Sequence, residues 1–389
     1  MRISSQSGLS DEQVAIQEMA RRFAEEHLAP HALEWDREKI FPVETLRAAA
    51  GLGMAAIYLR EELGGAGLSR VDAALIFEAL STGCPAVAAY LSIHNMCGWM
   101  IGAYGSQPQK ARWLPRLGAL DVLTSYCLTE SGCGSDAAAL RTRATRRGDS
   151  FFVSGEKQFI SGAGAGGAAH LYIVMARTGE AGPGGISAFL VEGDAVGVSF
   201  GANERKMGWN AQPTRAVIFD DCRVPAESLL GREGEGFKIA MAALDGGRIN
   251  IGACSLGGAA RALEAALDYV GERRAFGRRL AEFQALQFRL ADMATELEAA
   301  RALLWRAAAA LDRGDRDATR LCAMAKRIAT DTGFAVVDHA LQLFGGYGYL
   351  SDYGIEKLSR DLRVHRILEG TNEIMRLIVA RELLGERGA

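Results

Sequence analysis

Glu369 is the residue of this sequence whose setting suits it best to move a proton. It stands in Val364-His365-Arg366-Ile367-Leu368-Glu369-Gly370-Thr371-Asn372-Glu373-Ile374. Ile367 and Leu368 lead into the carboxylate, Gly370 lets the backbone bend, and Thr371 stands at a helix N-cap position ahead of Ile374, Leu377 and Ile378. The spacing predicts a tight connection just before a helix. A carboxylate between apolar residues loses hydration, and its pKa rises toward the range useful for taking a proton. A surface glutamate at a helix entrance would read the same way in this stretch alone.

Three further stretches could hold a ligand. In Tyr126-Cys127-Leu128-Thr129-Glu130-Ser131-Gly132-Cys133-Gly134-Ser135-Asp136 a strand runs into a loop whose backbone N–H groups and hydroxyls suit a pyrophosphate. A polar turn is the plainer alternative. Arg273-Arg274-Ala275-Phe276-Gly277-Arg278-Arg279 is a basic cluster between two long helical segments, either a phosphate contact or a solvated helix end. Gln342-Leu343-Phe344-Gly345-Gly346-Tyr347-Gly348-Tyr349 is a helix end opening into a glycine-rich loop, suited to close ligand approach or to a C-cap. The formal G-x-G-x-x-G at Gly162, Gly164 and Gly167 is followed by the strand-like Leu171-Tyr172-Ile173-Val174-Met175, where a dinucleotide fingerprint requires a helix. It reads as a turn. The six histidines lack ligand spacing, so no metal site is expected, and His339 and His365 read as structural.

The elements that must carry these residues come in three blocks. Residues 1–120 read as helices, with a capping box at Ser10-Asp11-Glu12-Gln13, a stop at Pro30, a start after Pro42 and a cap at Ser69. Residues 121–235 change period to short β-branched and aromatic runs at 122–128, 141–147, 151–160, 171–176, 186–191, 198–203 and 215–219, separated by glycine-rich turns. Residues 236–389 return to long Ala/Leu/Arg helices at 237–273, 280–313 and 315–343, followed by two shorter ones. The expected class is α+β: an N-terminal helical domain, a middle all-β barrel-like domain and a C-terminal four-helix-bundle domain.

Composition narrows the partners. A net charge of −3 over 389 residues gives no attraction to nucleic acid or anionic membrane. No apolar run approaches the roughly 18 residues of a membrane span. The start, Met1-Arg-Ile-Ser-Ser-Gln, has no apolar signal core. Seven scattered cysteines without a CxxC pair point to reduced thiols, and cytoplasm is the expected compartment.

Taken together, the motifs at 126–136, Arg-x-x-Phe-Gly at 273–277, Gln-x-Phe-Gly-Gly-Tyr-Gly-Tyr at 342–349 and Leu-Glu-Gly-Thr-Asn-Glu at 368–373 resemble the acyl-CoA dehydrogenase family over essentially the whole chain. The runs 92–97, 208–219 and 246–251 resemble its isobutyryl-CoA branch. The resemblance implies FAD held non-covalently, a homotetramer with the flavin across a subunit interface, and electron-transfer flavoprotein as acceptor. It implies that Tyr126, Leu128, Thr129, Gly134 and Ser135 line the flavin, with Ser135 reaching its pyrophosphate or the acyl-CoA, and Phe159, Ile160 and Ser161 beside the ring. Arg273, Phe276 and Gln284, with Gln342, Leu343, Phe344, Gly345 and Gly346, would bind FAD from the neighbouring subunit. Thr371, Asn372 and Glu373 would hold its adenosine side. Asp245, Gly246, Gly247, Arg248 and Arg381 would contact the acyl-CoA. Glu369 would be the base that takes the α-proton, with its own backbone N–H and a ribityl hydroxyl polarising the thioester carbonyl while the β-hydrogen leaves as hydride.

The expected reaction is isobutyryl-CoA to methacrylyl-CoA, as in valine catabolism. 2-Methylbutyryl-CoA or butyryl-CoA dehydrogenation and an acyl-CoA oxidase are the rivals. Some family branches carry the base at the position matched here by Gly247, which leaves Glu369. The two glycines at 246 and 247 are expected to make room for a branch methyl. Ser131 and Cys133 depart from the family loop, which often has proline and a serine or alanine there, so that loop is expected to be less rigid.

Overall fold

The helical, β, helical order read from the sequence is the order of the chain in the computed structural model, which describes residues 8–166 and 169–385. Gly167 of the glycine-rich turn and the first residues of the chain lie outside the described residues.

Six helices come first: α1 (Asp11–Phe23), α2 (Ala32–Glu38), α3 (Val43–Ala50), α4 (Arg70–Gly83), α5 (Pro85–Tyr104) and α6 (Gln107–Gly118). The local signals behave as chemistry dictates. Ser10 and Gln13 form the expected capping box, and Ser69 with Asp72 forms a second at the start of α4. α1 passes into a wider π turn over Ala24–Leu28, which closes ahead of Pro30. α2 is an addition to the sequence reading; its seven residues show too short an apolar stripe to stand out.

The middle block holds β1 (Val122–Cys127), β2 (Arg143–Arg147), β3 (Ser150–Ser161), β4 (Ala169–Arg177), β5 (Ile186–Glu192), β6 (Val198–Phe200), β7 (Thr214–Pro225) and β8 (Leu229–Leu230) in one sheet. The barrel-like expectation needs a correction: the strand path β6-β7-β3-β2-β4-β5-β8 does not close on itself. Its two antiparallel runs meet through a single parallel bridge between Arg143 of β2 and Arg177 of β4. β1 adds to β4 in parallel, and Phe151, Tyr172, Val174, Phe189, Val217 and Phe219 fill the space between the runs.

The last block is built on α7 (Gly236–Glu272), α8 (Gln284–Arg313) and α9 (Ala318–Phe344). Between α7 and α8 the Arg-rich stretch folds as a small hairpin of β9 (Arg274–Ala275) and β10 (Arg278–Arg279) with Phe276 and Gly277 at its turn. The short α10 (Ile355–Arg363) and α11 (Asn372–Leu383) pack on α9. α7 is apolar nearly all round and buried through most of its length. It packs on α4 and α5 of the first block as well as on α8 and α9, so one hydrophobic core spans both helical blocks. The Glu369 turn therefore sits between α10 and α11, against the face where all three blocks meet.

Candidate active site

Glu369 lies where the sequence puts it, on the connection between α10 and α11, with Thr371 Oγ1 accepting from the Ile374 amide 3.3 Å away as the N-cap. The connection is strained. Glu369 has φ +53° and Gly370 φ +89°, so the carboxylate is aimed by a left-handed backbone that a non-glycine residue rarely adopts. Seven described non-glycine residues have positive φ, and three of them, Phe159, Trp209 and Glu369, line one cavity of about 710 Å³. Strain collected at one cavity is the pattern of a site held in place by the surrounding fold.

Each wall of that cavity has a physical origin. β1 brings Tyr126 to the cavity, and the loop after it brings Leu128, Thr129, Gly134 and Ser135. The loop is pinned from below. The fully buried Lys157 ammonium donates to the Leu128 carbonyl at 3.0 Å and pairs with Glu130 at 2.8 Å. The Glu130 carboxylate accepts from the Arg141 and Thr142 amides at 2.6 and 2.9 Å. Burial works against Glu130 ionising, but the Lys157 charge and these donors win and hold its pKa below the usual carboxylate value. The loop with Ser131 and Cys133 thus has an anchor at Glu130 that does not depend on a proline.

β3 supplies Gln158, Phe159, Ile160 and Ser161. Its pairing with β7 slips between Lys157 and Ile160, and this bulge turns Phe159 outward, 62% exposed on the cavity wall. Trp209 enters from the segment before β7. Its amide donates to Asp361 Oδ1 at 2.6 Å, and a side chain at Gly208 would collide with the Arg360 carbonyl at 2.4 Å, so this segment lies tight on the end of α10. Trp209 Nε1–H donates to His365 Nε2 at 3.2 Å. The remaining ring proton is therefore on Nδ1, which donates to Ser255 Oγ at 2.6 Å. Burial drives the His365 pKa down to about 3, so this strut stays neutral, and the reading of His365 as structural is correct.

α7 contributes Phe237, Met241, Leu244 and Arg248; α5 contributes Ile93 and Met96; α11 contributes Ile374, Leu377, Ile378 and Arg381. Arg248 is buried and pairs with Asp245 at 2.6 Å, and Asp245 accepts from Thr319 at 2.7 Å. Gly246 and Gly247 do not open space for a ligand as expected. A Cβ at Gly246 would strike the Arg70 guanidinium at 2.4 Å, and one at Gly247 would strike the Glu369 carboxylate at 2.1 Å. The slot left by Gly247 is filled by Glu369.

The electrostatics suit a proton acceptor. Burial raises the Glu369 pKa to about 7, and the cations of Lys326 and Arg248 oppose that rise without cancelling it. Glu369 Oε2, Tyr126 Oη and Arg248 Nε are buried polar atoms with no partner. Three unpaired polar atoms around one cavity call for a polar ligand, since each costs free energy if left unsatisfied. Among the described residues no cluster of side chains could hold a metal ion.

Comparison with known proteins gives this geometry its chemical setting. Three domain descriptions match the chain in order: acyl-CoA dehydrogenase, N-terminal domain over residues 10–121, middle domain over 125–222, and C-terminal domain over 234–384. The chain belongs to the acyl-CoA dehydrogenase family. It is 55% identical to the mitochondrial isobutyryl-CoA dehydrogenase of Dictyostelium discoideum over 97% of this chain and 90% of that one. It is 52% identical to that of Bos taurus over 99% and 92%. The structure of butyryl-CoA dehydrogenase from Megasphaera elsdenii superposes with a TM-score of 0.94 at 38% identity, covering 98% of this chain and 100% of that one. The protein is thus an oxidoreductase of acyl-CoA thioesters, a family of flavoproteins.

Most of the residues that the resemblance singled out fall into two groups, while Asp245, Gly246, Gly247, Thr371, Asn372 and Glu373 line neither hollow. Tyr126, Leu128, Thr129, Gly134, Ser135, Phe159, Ile160, Ser161, Arg248, Arg381 and Glu369 share the large cavity. Arg273, Leu343, Phe344, Gly345 and Gly346 line a second hollow of about 360 Å³ with Tyr269 and Tyr347, while Phe276, Gln284 and Gln342 are exposed near the ends of those same helices. The resemblance assigned Asn372 to the adenosine of FAD, but its amide is spent internally. It accepts from Lys326 Nζ at 3.0 Å and donates to Thr330 Oγ1 and Asp331 Oδ1 at 3.0 and 2.9 Å. Trp209, Met241, Ile93 and Met96 line the cavity and were not singled out as site residues. Ile93, Met96 and Trp209 fall within the runs 92–97 and 208–219 that carry the resemblance, but nothing in their spacing marks them as lining a cavity, and Met241 lies in an apolar helical run like those of core residues.

Proposed function

We propose that this protein catalyses the FAD-dependent α,β-dehydrogenation of a short branched acyl-CoA, isobutyryl-CoA to methacrylyl-CoA. The observation that carries this reading is the Glu369 carboxylate. It has an unpaired oxygen and a pKa of about 7, and it shares one cavity with Thr129, Ser135, Phe159, Ile160 and Ser161. The cavity fits a flavin: it offers the exposed apolar face of Phe159, open backbone at Gly134 where an added Cβ would meet nothing within 4 Å, and the orphaned Tyr126 hydroxyl. When bound there, FAD would accept the β-hydrogen as a hydride at its N5. Thr129, Ser135 and the 126–136 backbone would orient it, and Phe159, Ile160 and Ser161 would flank the ring.

Glu369 takes the α-proton. The α C–H pair becomes half of the new C=C bond as the β C–H pair departs, so two electrons and one proton leave with hydride and one proton stays on the carboxylate. A base with a pKa near 7 is about half ionised at neutral pH and still basic enough to accept. The apolar walls from Ile93, Met96, Trp209 and Leu244 exclude water from that transfer. Arg248 and Arg381 suit the polar parts of the CoA thioester.

The branched substrate rests on the names of the two relatives above and on the resemblance at 92–97, 208–219 and 246–251. Electron-transfer flavoprotein as acceptor and a homotetramer belong to the same reading. Thr371 and Glu373, and the second hollow around Arg273 and Gly345–Gly346, would then hold cofactor from a neighbouring subunit. The seven cysteines are all free and buried, which suits a reducing compartment such as cytoplasm, although the two relatives are mitochondrial. Among the described residues no helix is long and apolar enough to cross a membrane.

The test is anaerobic titration of the FAD-loaded protein with isobutyryl-, 2-methylbutyryl- and butyryl-CoA, following loss of flavin absorbance. The fastest bleaching is expected with isobutyryl-CoA. Preference for butyryl-CoA would overturn the substrate, and no bleaching with any of them would overturn the reaction. Rapid peroxide release in air would favour an oxidase.

A further inference from the structure

Behind the Glu369 turn lies a cation that the reaction as written does not use. Lys326 is on α9 and fully buried. Its Nζ donates to the Gly370 carbonyl at 2.8 Å and to Asn372 Oδ1 at 3.0 Å. Both acceptors are neutral, and among the described residues no carboxylate lies within ion-pair distance of this ammonium. The same network continues through Asn372 to Thr330 and Asp331, and Asp331 accepts from Arg366 at 2.8 Å, so residues on both sides of Glu369 are tied to one face of α9.

We propose that Lys326 is a positioning residue for Glu369: it clamps the left-handed Glu369–Gly370 turn through the Gly370 carbonyl and supplies the positive charge that governs how readily the base gives up its proton. This rests on Glu369 being the base. The groups facing Glu369 narrow the source of that charge. They are Lys326 from α9, Arg248 and Cys254 from α7, Cys97 from α5, Tyr126 from β1 and Tyr58 from the segment after α3. Burial raises the pKa of both thiols and both phenols, so all four stay neutral. Arg248 is already paired with Asp245 at 2.6 Å. Lys326 is the cation whose charge is not matched by an adjacent carboxylate. Burial lowers its own pKa to about 8, with Glu369 opposing, so it is mainly charged at neutral pH and its charge is lost just above the range in which Glu369 ionises.

The experiment compares Lys326→Gln, which retains a donor for the Gly370 carbonyl without the charge, Lys326→Met, which removes both, and Lys326→Arg, which retains the charge. The first readout is the pH profile of kcat/KM. Its acid limb is expected to move up by about one pH unit in both neutral variants and to stay near the wild-type position in Lys326→Arg. KM should change less than kcat, since Lys326 touches neither substrate nor cofactor. The second readout needs no cofactor. Thermal unfolding at pH 8 is compared for Lys326→Gln alone and in the Glu369→Gln background. The drop in Tm should be smaller in that background, because the charge to be stabilised is gone. An unmoved acid limb, or an equal Tm drop in both backgrounds, would overturn the proposal. Failure of both neutral variants to fold would assign Lys326 to folding alone and overturn it as well. If the wild-type protein turns over no acyl-CoA, the base assignment fails, while the thermal comparison still decides whether the two charges are coupled.

Discussion

At the scale of single residues, the site depends on the protonation and aim of Glu369. Removal of an α-proton requires the ionised carboxylate, so kcat/KM is expected to rise with pH through about 7 and then level off. Glu369→Gln should lower kcat by about 10³-fold, within the range for loss of a positioned base, measured by rapid-mixing flavin reduction. The same shift has a stability consequence. A carboxyl whose pKa is raised from 4.5 to about 7 binds its proton more tightly when folded, so the stability it lends at low pH is lost as pH rises through that window. Glu369→Gln should therefore raise Tm relative to wild type at pH 8, with the gain vanishing by about pH 4.5; a Tm difference independent of pH would contradict the burial argument. At Gly247, the added methyl of Gly247→Ala would collide with the carboxylate itself. Turnover of isobutyryl- and butyryl-CoA should fall together with their ratio unchanged. A selective loss of the branched substrate would instead put the acyl group in that slot.

At the scale of elements, the loop after β1 and the Glu369 turn are held by the same device, a buried lysine donating to backbone carbonyls. For the loop it is Lys157 on β3, with Glu130 as its partner. Removing one member of a buried pair leaves the other charge uncompensated, so Lys157→Met is expected to destabilise the protein by about 3–5 kcal/mol in chemical denaturation. FAD retention during gel filtration should fall with it. A variant as stable as wild type would mean that the loop holds its shape without this pair. The bulge in β3 and the tight seat of Gly208 on α10 work in a similar way: each converts a backbone irregularity into a side-chain direction, for Phe159 and Trp209 respectively.

At the scale of the whole molecule, the C-terminal block that holds the second hollow also carries surface aromatics that a monomer would leave in water. Phe276 is 94% exposed at the tip of the β9–β10 hairpin, Tyr349 is 82% exposed and Phe288 60%. Arg273 stacks over Tyr347 at 5.4 Å on the rim of that hollow. Such a surface suits a second copy of the chain. Sedimentation velocity should find an oligomer, and Phe276→Asp should shift it toward smaller species and reduce FAD content together. A monomer that retains FAD as well as the oligomer would separate the cofactor from the interface. The central helix α7 is buried against helices of both helical blocks and joins them in one hydrophobic core beside the cavity.

Much of this was legible in the sequence because it is local. Long Ala/Leu-rich runs mark α7, α8 and α9, capping residues mark the starts of α1, α4 and α11, and glycine-rich turns separate short β runs. The likeness of four ordered motifs fixed the family, and Glu369 could be singled out by its apolar neighbours and the cap that follows it. The tertiary structure decided what depends on contacts between distant segments. Lys326 and Lys157 look like ordinary basic residues in a helix and a strand, and only burial turns them into clamps. Gly247 looks like room for substrate, and only the direction of its missing side chain gives that room to the Glu369 carboxylate. Local pattern specifies which element forms, because backbone conformation depends on near neighbours. The pKa of Glu369 depends on solvent exclusion and on charges from other helices, which no stretch of the chain carries by itself.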